Sequence, residues 1–412
     1  MANVNRVISD LQEIEFLSKK SNIGGINRLA YSDSDMNVRK LLLDEAKQFG
    51  LFTEFDSLGN IFIWNRSPQD SKPPVIIGSH IDSVPDGGNY DGALGVLCAI
   101  EVVRFIAESN ISTSVPIVAI GFAAEESVRF NNGCIGSRMM MGELSEESML
   151  EMIDIYGYKF NDVLRSVGLA MQGISSVRRG NNWAKSYIEL HIDQGPELRD
   201  DNLPLGIITD IAAPLRYKII FSGETMHSGG ASMKIRKDAL LGAAEFILEV
   251  ERLGLEQTKE FLVTTVGKIN ISPNLANTVP GKAELHVDIR GISSDLIQET
   301  WSKVWDFAKS CSVRRGLTVT NQLMWQTNPV SMSTKIINMM EESCILNKIK
   351  FKKMVSGSGH DALYMSDHMD TGMLFIRNIG GVSHNPRELC SREDIELALR
   401  ILTDTALSLA NN

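Results

Sequence analysis

Cysteine is scarce in this sequence. The 412 residues include five, Cys98, Cys134, Cys311, Cys344 and Cys390, scattered, odd in number and without CxxC spacing. That usage argues against a disulfide framework and fits a reduced, cytoplasmic protein best. A basic surface is lacking too: Lys and Arg total 41 against 51 Asp and Glu, a net charge of −10. Nucleic acids and anionic membranes need a basic footprint, so neither is an expected partner. A small anionic substrate stays open, because one or two placed arginines suffice to bind it. Long hydrophobic runs are missing as well. Apolar stretches such as VLCAI soon meet a charge, and none could span a bilayer. The opening MANVNRVISDLQEIEF has no basic segment followed by an apolar one, so no secretory signal is expected. Internal repeats and low-complexity tracts are absent.

What is present is enough for packed interiors: 43% of the residues are hydrophobic. A chain of this length exceeds one ordinary core, so two domains are expected. SDSDMNVRKLLLDEAKQFG (32–50) reads as a capped amphipathic helix, and LFTEFDSLGNIFIWN (51–65) as two strands about a turn. PVIIGSHID (74–82) and VPIVAIGFAAEE (115–126) are apolar runs suited to strands covered on both faces, with a helical pattern at 92–108 between them. This alternation predicts an α/β fold with a mixed sheet flanked by helices. From about 215 the order becomes β-α-β-β-α-β, the ferredoxin-like split motif. The resulting expectation is a discontinuous catalytic domain, 1–212 and 329–412, with a smaller α+β domain inserted at 213–328 and hinges near 212 and 329.

Four short stretches concentrate polar chemistry. In GSHIDSVPDGGNYDG, His80 and Asp82 are spaced i and i+2, which on a strand puts both on one face. A carboxylate beside a histidine can orient a metal-ligating imidazole. The plainer reading is a solvated pair, with Asp91 as a helix N-cap. In GFAAEES, Glu125 and Glu126 follow an apolar run, where charges are costly unless paired or bound to a cation. Neighbours on an extended chain point different ways, so one could ligate while the other faces a water; a solvated strand end is the alternative. ELHIDQG carries His191 and Asp193, and VSHNP carries His384, which alone would read as a solvated loop histidine. Together these places offer three histidines and at least two carboxylates near predicted strand ends, where ligands bind in open α/β sheets. Mixed histidine and carboxylate ligation suits zinc, manganese or cobalt.

HID…GGNYDG, AEES, ELHIDQG and VSHNP, in this order, resemble the amidohydrolase branch of the di-metal aminoacylase and carboxypeptidase superfamily. That branch holds N-carbamoyl-L-amino-acid hydrolases, allantoate amidohydrolases and ureidopropionases. The likeness covers almost the whole chain, including the inserted segment as a lid and dimerisation domain, and extends to the eleven-residue step from His80 to Asp91. It implies two divalent metal ions per subunit bridged by Asp91. His80 and His384 would fall on the two sides, with Glu126 and His191 completing the ligands. Glu125 matches the general base. His227, in GETMHSGG, matches a histidine that a partner subunit supplies to the oxyanion across a homodimer; alone it would read as a surface loop histidine. Arg290 and Asn277 match a clamp on the substrate carboxylate, for which an arginine fork is well suited. Gln194 matches a polar substrate contact, and His360, in SGSGHDA, a motif histidine that either binds substrate or supports the site.

The activity so implied is hydrolysis of an anionic ureido substrate, an N-carbamoyl-L-amino acid or an allantoate-like compound, with release of ammonia and carbon dioxide. A dipeptidase or N-acyl-amino-acid deacylase of the same superfamily is the alternative. A metal-loaded binding protein without catalysis is a third reading, against which the presence of Glu125 counts. One departure bears on the substrate. After the lid histidine the relatives carry a Thr- and Pro-containing segment, where this chain reads SGGASMKIR.

Overall fold

The computed structural model describes residues 1–69, 72–180, 182–257 and 260–412. Its largest sheet has nine strands. Across it run Val330–Ser331, Leu205–Ile211, Asp370–Ile376, Ser186–Ile192, Val75–His80, Ile117–Phe122, Ile61–Trp64 and Phe52–Phe55, with Phe351–Ser356 pairing on Leu205–Ile211 beside that path. The middle four strands are parallel, and Leu205–Ile211 on one side and Ile61–Trp64 and then Phe52–Phe55 on the other join antiparallel. The sheet is therefore mixed, as the sequence pattern predicts. VIIGSH and IVAIGF do not alternate polar with apolar, and every residue of these two strands and of SYIELHI is buried. The helix Ala93–Glu108 packs on all three, and Arg392–Asn411 packs on two of them and on Ala93–Glu108.

Local signals act as read. Ser32 caps the helix Asp33–Gln48, its side chain accepting from the Asp35 N–H, and Asp33 and Asp35 complement the helix dipole. Parallel strands place their C-terminal ends along one edge. Val75–His80 comes first in the chain, Ile117–Phe122 joins one side of it, and Ser186–Ile192 joins the other. The direction of strand addition thus reverses at Val75–His80, the kind of switch point where α/β sheets bind ligands.

The chain divides into two compact units: Met1–Thr209, Ser331–Met354 and His360–Asn412 form the first, Asp210–Val330 and Val355–Gly359 the second. The short segment Val355–Gly359 stands outside the inserted range read from sequence. Main-chain contacts explain why it joins the second unit: Ser356 O accepts from Ala212 N at 2.8 Å, and Gly357 O accepts from Arg290 Nη1 at 3.1 Å.

The second unit is a four-stranded antiparallel sheet in the order Leu262–Ser272, Lys282–Gly291, Ala213–Ser222, Thr318–Gln326, with helices Ala239–Glu256 and Ser294–Arg315. That is the strand order of the ferredoxin-like motif. Along Lys282–Gly291 buried and half-exposed residues alternate, so Ala283, Leu285, Val287 and Ile289 face a core shared with Phe221, Phe246 and Trp301. Phe246 is fully buried and meets Phe221 edge-on, with centroids 5.7 Å apart. Phe246→Ala is expected to destabilise this unit by about 3–5 kcal/mol through lost transfer energy and a residual cavity. Scanning calorimetry would show this as a lowered transition temperature. Among the described residues, no helix is long and apolar enough to cross a membrane.

Candidate metal centre

Five side chains converge at the C-terminal ends of the parallel strands. His80 ends Val75–His80, and His191 lies one residue before the end of Ser186–Ile192. Glu126 follows Ile117–Phe122, Asp91 precedes the helix Ala93–Glu108, and His384 sits in the loop after Asp370–Ile376. Their ligand atoms form two groups, His80, Asp91 and His191, and Asp91, Glu126 and His384, each with all atoms within 4.8 Å of one another. Asp91 belongs to both. Its Oδ1 lies 3.4 Å from His80 Nε2 and 3.1 Å from His191 Nε2, while Oδ2 lies 3.9 Å from His384 Nε2. His384 Nε2 is 3.1 Å from Glu126 Oε1.

The second nitrogen of each buried ring decides what these contacts mean. His80 Nδ1 lies 3.0 Å from the Asp82 carbonyl oxygen, and His191 Nδ1 lies 3.0 Å from that of Ile192. A carbonyl only accepts, so Nδ1 carries the proton in both rings and Nε2 is left with a lone pair. Two lone pairs then face a carboxylate oxygen. Among the described residues, Asp91 Oδ1 and His191 Nε2 find no hydrogen-bond partner, and both are buried. Acceptors turned on one another out of contact with water are costly unless a cation lies among them. The donor set of imidazoles and carboxylates therefore fits divalent metal ions.

Where no cation lies among them, the carboxylates draw protons onto these rings, so the site gathers positive charge one way or the other. Burial opposes protonation of His80, yet Glu125, Asp91 and Asp82 outweigh it and hold its pKa well above the ordinary imidazole value. For His191, burial is likewise outweighed, chiefly by Asp91. The hydrogen bond to Glu126 pushes His384 up to about 9 against its partial burial. Burial raises Glu126, and it raises Glu125 well above the usual carboxylate range despite the nearby His80.

Glu125 sits beside these groups and in neither of them. Its Oε2 is 3.8 Å from His80 Nε2, and its Oε1 accepts from the Cys134 thiol at 3.3 Å. Ala124, just before it, is left-handed at φ +53°, as are Cys134 at +53° and His384 at +56°. Non-glycine residues stay in that region only where surrounding contacts hold them. The contacts here are Ile135 N to Ala124 O at 3.0 Å and Cys134 N to Glu125 O at 2.8 Å. Gly92, at φ +65°, is required for another reason: a Cβ there would stand 2.3 Å from the His80 ring. Asp91 is not a side-chain N-cap, because Gly92 holds that position and the Asp91 carboxylate turns to the histidines.

Over residues 76–408 the sequence matches the family described as Peptidase family M20/M25/M40. The chain belongs to that family. It is 36% identical to the N-carbamoyl-L-amino-acid amidohydrolase of Pseudomonas sp. (strain NS671), over 93% of each chain. It is 33% identical to the allantoate amidohydrolase of Bacillus subtilis (strain 168), covering 94% of this chain and 93% of that one. Among solved structures it is similar to a hydantoinase/carbamoylase-family amidase of Burkholderia multivorans, with a TM-score of 0.91, 30% identity, and 100% and 98% of the two chains covered.

Within this M20/M25/M40 chain several residues do something other than their motifs suggest. Asp82 lies beyond the end of its strand, so the two-residue face argument does not reach it. His80 is oriented by the Asp82 main-chain carbonyl, with the carboxylate 3.9 Å away. That carboxylate instead accepts from the Glu125 N–H at 3.2 Å and the Glu126 N–H at 3.0 Å, fixing the direction of the glutamate pair. Asp193 caps Gly195 and Leu198 and leaves His191 alone. Gln194 Nε2 donates to Asp91 Oδ2 at 3.1 Å. His360 is buried and packs its ring on those of His191 and Phe375, with centroids 4.6 and 5.7 Å away. Burial and the neighbouring His191 hold its pKa well below the usual value.

His227, Asn277 and Arg290 belong to the second unit. His227 and Asn277 come together on the small ladder of Met226–His227 with Thr278–Val279, where Ser228 N donates to Asn277 O at 2.9 Å. Arg290 is already forked onto Asp288, Nε to Oδ1 and Nη2 to Oδ2, both at 3.1 Å, and Arg216 Nε reaches the same Oδ2 at 2.7 Å.

Three supporting residues carry little signal in the sequence. Arg28 is fully buried and donates to Ile81 O, Ser18 Oγ and Asn89 Oδ1 beneath the His80–Asp91 loop, and burial pulls it down to about 10. Glu189 accepts from Ser79 Oγ at 3.0 Å and Ala362 N at 2.7 Å, tying the strands Val75–His80 and Ser186–Ile192 to the start of the helix Asp361–Met365. Glu388, in SHNPRE, bonds across to the Asp91 loop; its only sequence signal is a carboxylate four residues beyond His384.

Proposed function

We propose that this protein is a di-metal amidohydrolase that cleaves the ureido amide of an N-carbamoyl-L-amino acid or an allantoate-like substrate, releasing ammonia and carbon dioxide. One observation carries the reading: two cation-holding groups share Asp91, with a non-ligating carboxylate, Glu125, beside them. The names and close likeness of the relatives support the substrate class. His80, Asp91 and His191 would hold one ion, and Asp91, Glu126 and His384 the other; zinc, manganese and cobalt all suit these ligands. When bound, such ions polarise a carbonyl oxygen and acidify a water.

The chain's own residues supply the rest. Glu125 takes a proton from the attacking water and returns it to the leaving nitrogen, a task that its place beside both groups and in neither of them suits. Cys134 and Asp82 hold it in place from its side chain and its backbone respectively. His227 Nδ1 accepts from Gly229 N at 3.1 Å and Gly230 N at 3.2 Å, so the proton of the neutral ring sits on Nε2. A fixed N–H donor is what a developing oxyanion needs. The two glycines stand in the stretch that departs from the relatives' Thr- and Pro-containing segment. Arg290 and Asn277 receive the substrate carboxylate. Two guanidinium groups on the single carboxylate of Asp288 leave positive charge for an anion. In this reading the second unit, residues 213–328 by sequence, is the lid. A homodimer through it brings His227 to a neighbouring site in a cytoplasmic enzyme whose five cysteines are free and buried.

The test is ammonia release by the metal-reconstituted protein from N-carbamoyl-L-amino acids, N-carbamoyl-β-alanine and allantoate, with manganese and zinc in turn. Ammonia is expected from at least one, falling to background after chelation. Silence on all of them, with amino acid freed from dipeptides or N-acyl substrates, would replace this reading with the dipeptidase or deacylase one.

A further inference from the structure

We propose that Glu388 is a positioning residue for the metal centre, a single carboxylate that sets the spacing of Asp91 and His384 and so the affinity of the Asp91–Glu126–His384 group for its ion. The inference rests on the two-ion reading above and concerns a residue that neither ligates nor reacts.

Glu388 is 5% exposed, and its two oxygens serve two loops. Oε1 accepts from the His384 N–H at 2.8 Å. Oε2 accepts from the N–H groups of Tyr90 at 3.4 Å and Asp91 at 3.3 Å, the latter 297 residues away in the chain. The backbone of one ligand and the backbone of the ligand shared by both groups thus hang on one side chain. His384 needs such a hold, because its left-handed φ of +56° is unfavourable for a residue with a Cβ. Glu388 N donates to Asn385 O at 3.1 Å, which closes the turn that brings the carboxylate back to His384. The Asp91 loop makes room for it: a Cβ at Gly88 would stand 2.2 Å from Glu388 Oε2 and 2.5 Å from Glu388 Cβ. Ser383 Oγ adds a direct bond to Asp91 Oδ2, so the two loops meet at two adjacent points.

A carboxylate accepts through both oxygens, whereas glutamine accepts through one and turns an NH2 toward donors with the other. Glu388→Gln therefore keeps the volume and breaks one of the two links. His80 and His191 are positioned by the carbonyls of Asp82 and Ile192, which Glu388 does not touch, so their group keeps two of its three ligands in place and should lose far less than the group that holds both Asp91 and His384.

The experiment is calorimetric titration of manganese into metal-free wild type and Glu388→Gln, with bound metal counted after gel filtration and the melting temperature of each metal-free protein recorded. The wild type is expected to take up two ions. The variant should hold the first within a few-fold of wild type and the second about 10- to 100-fold more weakly, the usual effect of removing a partner that orients ligands. Its metal-free melting temperature should stay within a few degrees of wild type. Gly88→Ala, which displaces the Glu388 carboxylate without altering a ligand or any bonding group, should give the same selective loss, and it decides the matter if Glu388→Gln does not fold. Two ions bound with wild-type affinity by the folded variants would overturn the proposal and leave the function standing. A wild type that takes up only one ion would overturn the di-metal reading and this proposal with it.

Discussion

Glu125→Gln is expected to lower kcat by about 10³-fold, within the range for removal of a general base, and to leave the metal content unchanged. Glutamine has the same shape and retains the main-chain bonds that orient the residue, from Glu125 N to Asp82 and from Cys134 N to Glu125 O. What it loses is the ability to take up and return a proton. Glu125 lies in neither cation-holding group, so uptake should remain at wild-type level. Steady-state kinetics on the best ureido substrate, with metal analysis on the same preparation, separates the two effects. Activity within tenfold of wild type would place the base elsewhere. Loss of an ion together with activity would make Glu125 a ligand.

Asp91→Ala is expected to strip the metal as well, reducing activity by about 10³-fold or more, since Lewis-acid assistance is worth several kcal/mol. Each group depends on one oxygen of this carboxylate, Oδ1 facing His80 and His191 and Oδ2 facing His384. Alanine leaves each group with two ligands. Glu126→Ala, in contrast, removes a ligand from one group only and should leave a single ion bound. Counting metal after gel filtration distinguishes the two patterns. Retention of one tightly held ion by Asp91→Ala would show that the groups bind independently and that the shared carboxylate is not a bridge.

Much of this protein was legible along the chain because the signals are local. The runs VIIGSH and IVAIGF read as strands covered on both faces, since consecutive apolar residues must be buried on both. Ser32 read as a helix start because its hydroxyl needs only an N–H three residues on. The order of strands and helices in the second unit read as ferredoxin-like because each element has its own period. The histidines and carboxylates at strand ends could be singled out because charge next to an apolar run needs a partner.

Direction and partnership were a different matter, decided by where the backbone turns after each strand ends. Asp82 looked like the partner of His80, but its strand stops at His80, and past that point the carboxylate swings to the glutamate pair from another strand. Gln194 and Arg290 match substrate contacts by resemblance, and folding gives each a partner within the chain, Asp91 for one and Asp288 for the other. Glu388 could not be singled out at all, since its role exists only once residue 388 lies beside residues 90 and 91. The sequence by itself determined the elements, the donor types and their places at strand ends, which follow from short-range pattern and burial. Only the tertiary structure decided which oxygen faces which nitrogen, because hydrogen bonds and ion pairs act over about 3 Å and depend on side-chain direction, which a residue's place in the chain does not specify.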